Sequence, residues 1–162
     1  MFLWLKSKTK IGSLKDGAMS VVEGRVVPAR ELGVPGTQLK CVYFHQIIDK
    51  WDRGERGRGR KMWIPINAEE RVEAFYVEDA TGRVWVAADA KHVDVSGAAE
   101  EIGPFGKKGN QRFIARLIRG GDVVRVRGAV TKAQGSEPGD VLVVRPGGKK
   151  ERLEILFKKR AK

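Results

Sequence analysis

Hydrophobic and polar positions alternate most regularly over Leu39–Ile48, where β-branched and aromatic residues follow one another without a glycine or proline. Such a segment is typical of a β-strand. Side chains of a strand point alternately to its two faces, so Cys41 and Tyr43 share one face. Val42 and Phe44 share the other. Because both faces carry large apolar groups, the pattern predicts a central strand that is buried on both sides.

Shorter runs of alternating residues continue along the chain, separated by turns rich in glycine and proline. They predict strands at Ser20–Pro28, Lys61–Ile66, Glu70–Asp79, Val84–Ala88, His92–Val95, Gln111–Arg119, Val123–Val130, Val141–Arg145 and Leu153–Phe157. The segments Asp49–Arg60 and Ser96–Asn110 are rich in glycine, and we predict two loop insertions in the barrel. The first is predicted to be a mobile hairpin tip and the second a long surface loop. Many short strands without a long helical pattern indicate an all-β barrel or sandwich.

A chain of 162 residues suggests a single domain. We predict an N-terminal arm at 1–19, a β-barrel domain at 20–157 and a basic, disordered tail at 158–162. The arm begins with an apolar run and continues with lysines. It packs on the protein's own core in one interpretation. In the other it touches a membrane surface through Phe2, Leu3, Trp4 and Leu5.

The formal net charge of +12 narrows the choice of partners. Such an excess of positive charge favours nucleic acid, anionic lipid or an acidic protein as the partner. In the alternative interpretation, the basic residues form a solvated surface that binds no partner. The single cysteine excludes an intramolecular disulfide, a RING and a zinc ribbon. No apolar run reaches the roughly 20 residues of a membrane-spanning helix. We therefore expect a cytoplasmic protein, either free or peripheral to a membrane.

Five short motifs occur in an order that is typical of one family: Glu23–Val27, Cys41–Phe44, Trp51, Phe75–Gly82 and Gly121–Gly128. Through them the chain resembles the GIDE (BAM) domain over roughly Val21–Thr131. That domain occurs in mitochondrial and chloroplast outer-membrane E3 ubiquitin ligases, between two membrane spans, and in bacterial and archaeal proteins. The resemblance implies an OB-like or NfeD-like β-barrel that recognises a protein partner. Ligase activity is not implied, because the chain lacks the cysteines of a RING.

Residues with reactive side chains do not form a recognisable catalytic or metal-binding pattern. Cys41 and His45 lie four residues apart, which places them about 13 Å apart along a strand, too far for one metal ion or a catalytic pair. Neither a GxSxG motif nor a phosphate-binding loop occurs. We therefore predict no catalytic residue, no metal and no cofactor.

Basic and aromatic residues alternate around the predicted loop at Asp49–Arg60, which makes it the best candidate site. The candidate binding residues are Trp51, Arg53, Arg56, Arg58, Arg60, Lys61 and Trp63, together with Arg125 and Arg127 on a later strand. Cations that reach phosphates and rings that stack on bases are typical of single-strand binding. Alternatively, Trp51 and Trp63 pack at the base of a hairpin and the arginines keep it soluble.

The resemblance to the GIDE domain, together with the lack of a catalytic pattern, implies a non-enzymatic protein-interaction or scaffold module, either free or beside a membrane. The alternative is an OB-like nucleic-acid-binding protein that uses the arginine- and glycine-rich loop.

Overall fold

The computed structural model describes residues 8–52, 59–97, 99–108 and 111–161, and for 99–108 it describes the backbone. Thirteen strands follow a 3-10 turn at Ile11–Ser13: β1 Met19–Pro28, β2 Leu32–Gly33, β3 Lys40–Cys41, β4 Tyr43–Asp52, β5 Met62–Val72, β6 Phe75–Asp79, β7 Gly82–Val86, β8 Val93–Ser96, β9 Ala99–Lys108, β10 Gln111–Ile118, β11 Val123–Lys132, β12 Leu142–Arg145 and β13 Leu153–Lys159. No α-helix occurs among these residues, so none there is long and apolar enough to cross a bilayer.

Five strands close into a barrel in the order β1-β6-β7-β12-β11, and β11 pairs again with β1. All pairs in this barrel are antiparallel except β7 with β12. One edge of β11 pairs with both β12 and β13, which lie one after the other along it. β8 pairs in parallel with β13 and so continues the sheet. The predicted all-β, OB-like barrel is thereby confirmed.

Valines at alternate positions fill the barrel. Val22 and Val26 of β1 and Val124, Val126 and Val130 of β11 are almost completely buried in one core cluster. Their period of two follows from the strand pleat, which sends every second side chain inward. Burial of each such side chain contributes about 1.5–3 kcal/mol to folding, so this row is a main source of the barrel's stability.

The predicted hairpin tip and the predicted long loop both contribute strand residues to a second sheet, with strand order β5-β4-β10-β9. Residues 53–58 of the hairpin tip lie outside the described residues. β4 continues to Asp52 and β5 begins at Met62, while β9 occupies most of the segment Ser96–Asn110. The loop prediction for that segment was wrong, because antiparallel pairing with β10 overrides the low strand propensity of its glycines. Both hairpins turn at the same end of the sheet, which we call the distal end.

The opposite end of the second sheet joins the barrel core, where Tyr43, Val72 and Ile118 pack. The predicted strand Glu70–Asp79 is broken there, since the Glu73 amide donates a hydrogen bond to the Val42 carbonyl and the chain leaves β5 for β6. Ten residues of β4 therefore carry the distal end on the order of 30 Å away from the barrel core.

The predicted central strand does lie in the middle of the second sheet, but its alternation is interrupted at Val42. Val42 and Tyr43 pack in the barrel core, while Cys41 and Phe44 pack in a smaller cluster with Leu32 on the other side. The prediction that Cys41 shares a face with Tyr43, and Val42 with Phe44, was therefore wrong. Burial on both sides holds for residues 41–44, whereas most of the rest of β4 is only partly covered.

Both chain ends are attached to the barrel as far as they are described. The Thr9 amide donates to the Val21 carbonyl at 2.7 Å, and Ile11 is buried. The prediction of a disordered tail at 158–162 was wrong for 158–161. β13 extends through Lys159, and the carboxylate of Asp122 accepts hydrogen bonds from Arg160 and from the Ala161 amide. Lys162 lies outside the described residues.

The carboxylate of Asp79 ties the N-terminal segment to the β6–β7 turn. It accepts hydrogen bonds from the Ile11 amide at 2.9 Å, the Gly82 amide at 3.1 Å, and the Thr81 amide and hydroxyl at 2.8 and 2.6 Å. Burial raises the pKa of Asp79, but these hydrogen bonds outweigh it and hold the pKa below its ordinary value. The ionised form is therefore favoured by folding, and its contribution is lost as the pH falls through the lowered pKa.

We expect Asp79→Asn to lower the free energy of unfolding by about 1–2 kcal/mol at neutral pH, because an amide cannot accept all four bonds. The deficit should shrink as the pH drops below about 4, where the wild-type carboxylate becomes protonated first in the unfolded chain and then in the fold. Urea unfolding at a series of pH values measures this. Asp140→Asn, at an exposed loop position, is the matched control. A deficit that stays constant down to the acid limit would contradict the assignment.

Candidate interaction surfaces

Trp51 and Trp63 lie directly opposite each other on β4 and β5, near the distal end of the second sheet. Their ring centroids are 5.3 Å apart with an interplanar angle of 57°. The Arg112 guanidinium lies 4.6 Å from the centre of the Trp63 ring, and its Nε donates to Asp49 Oδ2 at 3.0 Å. The two tryptophans thus pack at the base of the hairpin, and Trp63 has its neighbours within the protein.

Among the other predicted binding residues of this hairpin, Arg60 and Lys61 are exposed. Arg53, Arg56 and Arg58 lie outside the described residues, as do Phe2, Leu3, Trp4 and Leu5, the predicted membrane contacts. The structure therefore gives positions for the two ends of the hairpin loop and for its aromatic base.

Large apolar side chains are exposed at the same end. Trp51, Met62 and Ile66 keep 41%, 55% and 49% of their surface exposed. Among the residues whose side chains the structure describes, the one other exposed large hydrophobic residue is Met19, on barrel strand β1. Sequence reasoning placed Trp51 among the candidate binding residues but missed Met62 and Ile66, because a strand pattern does not show which strand will lie at the edge of a sheet.

Arg125 and Arg127 lie on barrel strand β11, on a different sheet from the tryptophans. Arg125 donates to Glu23 Oε1 from Nη2 at 3.0 Å and from Nε at 3.2 Å, and Arg127 lies 3.6 Å from Glu154. The hydrogen bond from Lys8 lowers the pKa of Glu23, and the bond from Arg125 adds to this effect against the opposing effect of burial. Both arginines therefore form ion pairs across neighbouring strands.

The outer face of β6 and β7 carries an aromatic pair that sequence reasoning missed. Tyr76 and Trp85 meet edge to face with ring centroids 4.8 Å apart, and the Arg83 guanidinium lies 4.8 Å above Tyr76. These are the second and third strands of the barrel, the face with which OB folds bind oligonucleotides and oligosaccharides. The alternation in the sequence does place both side chains on the outer face of this hairpin. The strand order of the barrel is needed to see that this face is a candidate binding surface.

A groove of about 390 Å³ lies on the Phe44 face of the second sheet. Ile48 and Phe113, which pair across β4 and β10, line it together with the Pro35–Gly36 turn. Asn67 and Glu69 of β5 line its outer side. The buried amide of Gln46 donates to the Pro35 carbonyl at 3.0 Å and so holds the turn against the sheet.

Cys41 and His45 lie on separate strands, β3 and β4. Burial raises the pKa of the Cys41 thiol to about 11, and its Sγ lies 3.8 Å from the Leu32 carbonyl oxygen. Such a thiol remains protonated at neutral pH and packs as a small apolar group. Across the residues that the structure describes, no group of three or more histidine, cysteine, aspartate or glutamate residues could hold a metal ion.

Comparison of the chain with protein-family models, with curated proteins and with solved structures returned no match. The resemblance to the GIDE domain, with the partner recognition it implies, therefore stays a prediction.

Proposed function

We propose that this protein is a non-enzymatic protein-interaction module, whose barrel presents β5 and the adjoining groove to an extended segment of a partner protein. The observation that carries the proposal is the open edge of β5. This strand has no neighbour on its outer side among the described residues, and every residue from Pro65 to Arg71 is exposed. Unpaired amide and carbonyl groups on such an edge accept a further strand.

The two halves of β5 differ in how well they suit strand addition. Pro65 lacks an amide hydrogen, and the register shifts between Asn67 and Pro65, which together protect the outer half of the edge. From Asn67 to Val72 the register with β4 is continuous. This inner half is therefore where a partner segment would pair.

The chemistry beside this half selects the partner. The groove offers an apolar surface at Ile48 and Phe113, and Glu69 brings a carboxylate to its rim. Glu70, on the other face, accepts a hydrogen bond from the Tyr43 hydroxyl at 2.9 Å. A partner segment that places an apolar side chain in the groove and a basic residue beside Glu69 and Glu70 fits this surface. The local acidic charge favours such a partner even though the net charge of the whole chain is +12.

Affinity purification at low salt, followed by mass spectrometry, tests this proposal. Asn67→Lys/Glu69→Lys should reduce recovery of the specific partner at least about tenfold, since a desolvated charge pair is replaced by a repulsive one. Glu78→Lys/Ala80→Lys makes the same change in net charge at exposed positions on the β6–β7 hairpin and should leave recovery unchanged. Equal recovery of the partner by the wild type and both variants would rule out β5 as the partner-binding edge.

Nucleic-acid binding is the second candidate function, and one observation favours it: Tyr76, Trp85 and Arg83 share the outer face of the second and third barrel strands. Fluorescence anisotropy with a labelled single strand decides between the candidates. Binding through this face should weaken with salt, log K falling by about 0.7 per log salt for each phosphate contacted. Absence of binding at about 50 mM salt would reject this candidate.

A further inference from the structure

A recess of about 370 Å³ lies on the outer surface of the barrel, where β1, β11 and β13 run side by side. Two of the residues that line it, Arg25 and Lys159, are exposed cations. Its other lining residues are Gly121, Val123, Arg160 and Ala161. The recess thus has a floor of small side chains and walls that carry positive charge.

Arg25 and Lys159 lie on either side of Val123, because Val123 is the register partner of both. Register partners on neighbouring strands point to the same face of a sheet. Strands lie about 4.8 Å apart, so the Cα atoms of the two cations are on the order of 10 Å apart. The short side chain of Val123 leaves the space between them open. One small anion above Val123 can therefore contact both cations.

The carboxylates nearest to Arg25 in the strand pairing already bind other cations. Glu78, its register partner on β6, pairs with Arg83 at 3.0 Å. Glu23, two positions earlier on β1, is shared by two other basic side chains. Among the described residues, neither Arg25 nor Lys159 forms an ion pair. Both positive charges of the recess are therefore uncompensated within this part of the chain.

Arg25 is an exception among the arginines of the five barrel strands, all of whose residues the structure describes. The others each form an ion pair with a carboxylate: Arg83, Arg125, Arg127 and Arg145. Neutralisation within the protein is thus the rule on this surface. The recess departs from it and leaves its charge to a ligand.

The tail holds Lys159 in a fixed place beside Arg25. β13 extends through Lys159, and the next two residues are attached to the buried carboxylate of Asp122. Arg160 donates to it at 2.6 Å, and the Ala161 amide donates at 2.9 Å. Because the backbone on both sides of the recess is fixed before a ligand arrives, less ordering is needed on binding.

The charge of the recess selects a phosphate group. A phosphate monoester carries about −1.5 to −2 charges at neutral pH and has three strong acceptor oxygens. Two uncompensated cations match this charge, whereas a carboxylate, or each phosphodiester of a nucleic acid, carries a single negative charge. The planar guanidinium of arginine can bind two phosphate oxygens at once, and the lysine ammonium serves as a point charge beside it.

We propose that the recess between β1 and the tail binds a dianionic phosphate group, as free phosphate or as a phosphate monoester. Arg25 and Lys159 are its two cationic contacts, and Val123 forms the floor. The recess shares no residue with β5 or with the groove of the second sheet. The proposal therefore stands or fails independently of the proposed protein partner.

Isothermal titration calorimetry of the full chain with inorganic phosphate, in a phosphate-free buffer at constant ionic strength, tests the proposal. The wild type should bind phosphate, and an excess of acetate should not compete. Arg25→Gln/Lys159→Gln should weaken binding at least about tenfold, because both charge-assisted contacts are lost. Lys149→Gln/Lys150→Gln makes the same change in net charge at exposed turn positions and should leave binding unchanged.

A second variant keeps both cations and fills the space between them. Val123→Asp places a carboxylate between Arg25 and Lys159, so phosphate binding should again fall at least about tenfold. Val123→Asn has nearly the same shape without the charge and should bind more tightly than Val123→Asp. Circular dichroism shows whether each variant remains folded.

Phosphoserine, titrated in the same way, identifies the source of the phosphate group. Tighter binding than that of inorganic phosphate assigns a phosphate monoester, and equal or weaker binding assigns free phosphate. Absence of binding of both compounds at millimolar concentration would overturn the proposal, as would wild-type affinity in Arg25→Gln/Lys159→Gln. An equal loss in the Lys149→Gln/Lys150→Gln control would also overturn it. So would binding of a labelled single strand that needs Arg25 and Lys159 while neither small phosphate binds.

Discussion

Replacing Asp122 by alanine is expected to lower the free energy of unfolding by about 3 kcal/mol, the lower end of the cost of breaking a buried ion pair. Asp122 is completely buried, and its carboxylate accepts from the Arg119 amide at 2.8 Å, the Ala161 amide at 2.9 Å and the Arg160 guanidinium at 2.6 Å. Removing the carboxylate leaves all three donors without this acceptor. The side chain of Arg160 is 27% exposed, so water compensates part of the loss.

Urea unfolding measures this cost, and a double-mutant cycle assigns it. Asp122→Ala/Arg160→Met should be less destabilised than the sum of the two single variants, because each single change already breaks the same pair. Lys159→Met, at the exposed end of β13, should change stability by less than about 0.5 kcal/mol. Slower hydrogen exchange of the Ala161 amide in the wild type than in Asp122→Ala would confirm the attachment of the tail. A wild-type stability in Asp122→Ala would contradict it.

Gly24→Ala is expected to destabilise the barrel by about 1–3 kcal/mol, although alanine is normally the better strand residue. A Cβ at position 24 would clash with the Glu78 carbonyl oxygen and lie 2.9 Å from Val77 Cγ1. Both belong to β6, where Glu78 pairs with Arg25 of β1 and Val77 pairs with Val26. The backbone of β6 cannot retreat without breaking the pairing that closes the barrel.

Gly139→Ala is the matched control for this prediction. A Cβ there would meet nothing within 4 Å, and the position does not require a left-handed backbone. It should be neutral or slightly stabilising, by at most about 1 kcal/mol, because alanine restricts the unfolded chain. Thermal unfolding of both variants against the wild type compares them directly. Equal stability of Gly24→Ala and Gly139→Ala would mean that β1 and β6 are not held this closely.

The barrel strands could be predicted from local pattern, and the candidate interaction surfaces could not. The valines of β1 and β11 alternate with a period of two along the sequence. The strand pleat alone sets this period, so the strands can be predicted without knowing any contact between distant residues. Tyr76 and Trp85 alternate in the same way but look like ordinary outward residues until the barrel order is known. Met62 and Ile66 belong to a strand that the alternation predicted, but their exposure depends on which strand lies at the edge.

By itself, the sequence determined the all-β class, the positions of most strands and the basic character of the chain, because these depend on side-chain alternation, turn residues and charge. Only the tertiary structure decided that the glycine-rich segment after Ser96 forms β9, that the tail binds Asp122 and that both hairpins end together. Each of these depends on pairing between residues far apart in the chain, where backbone hydrogen bonds and a buried charge outweigh local propensity.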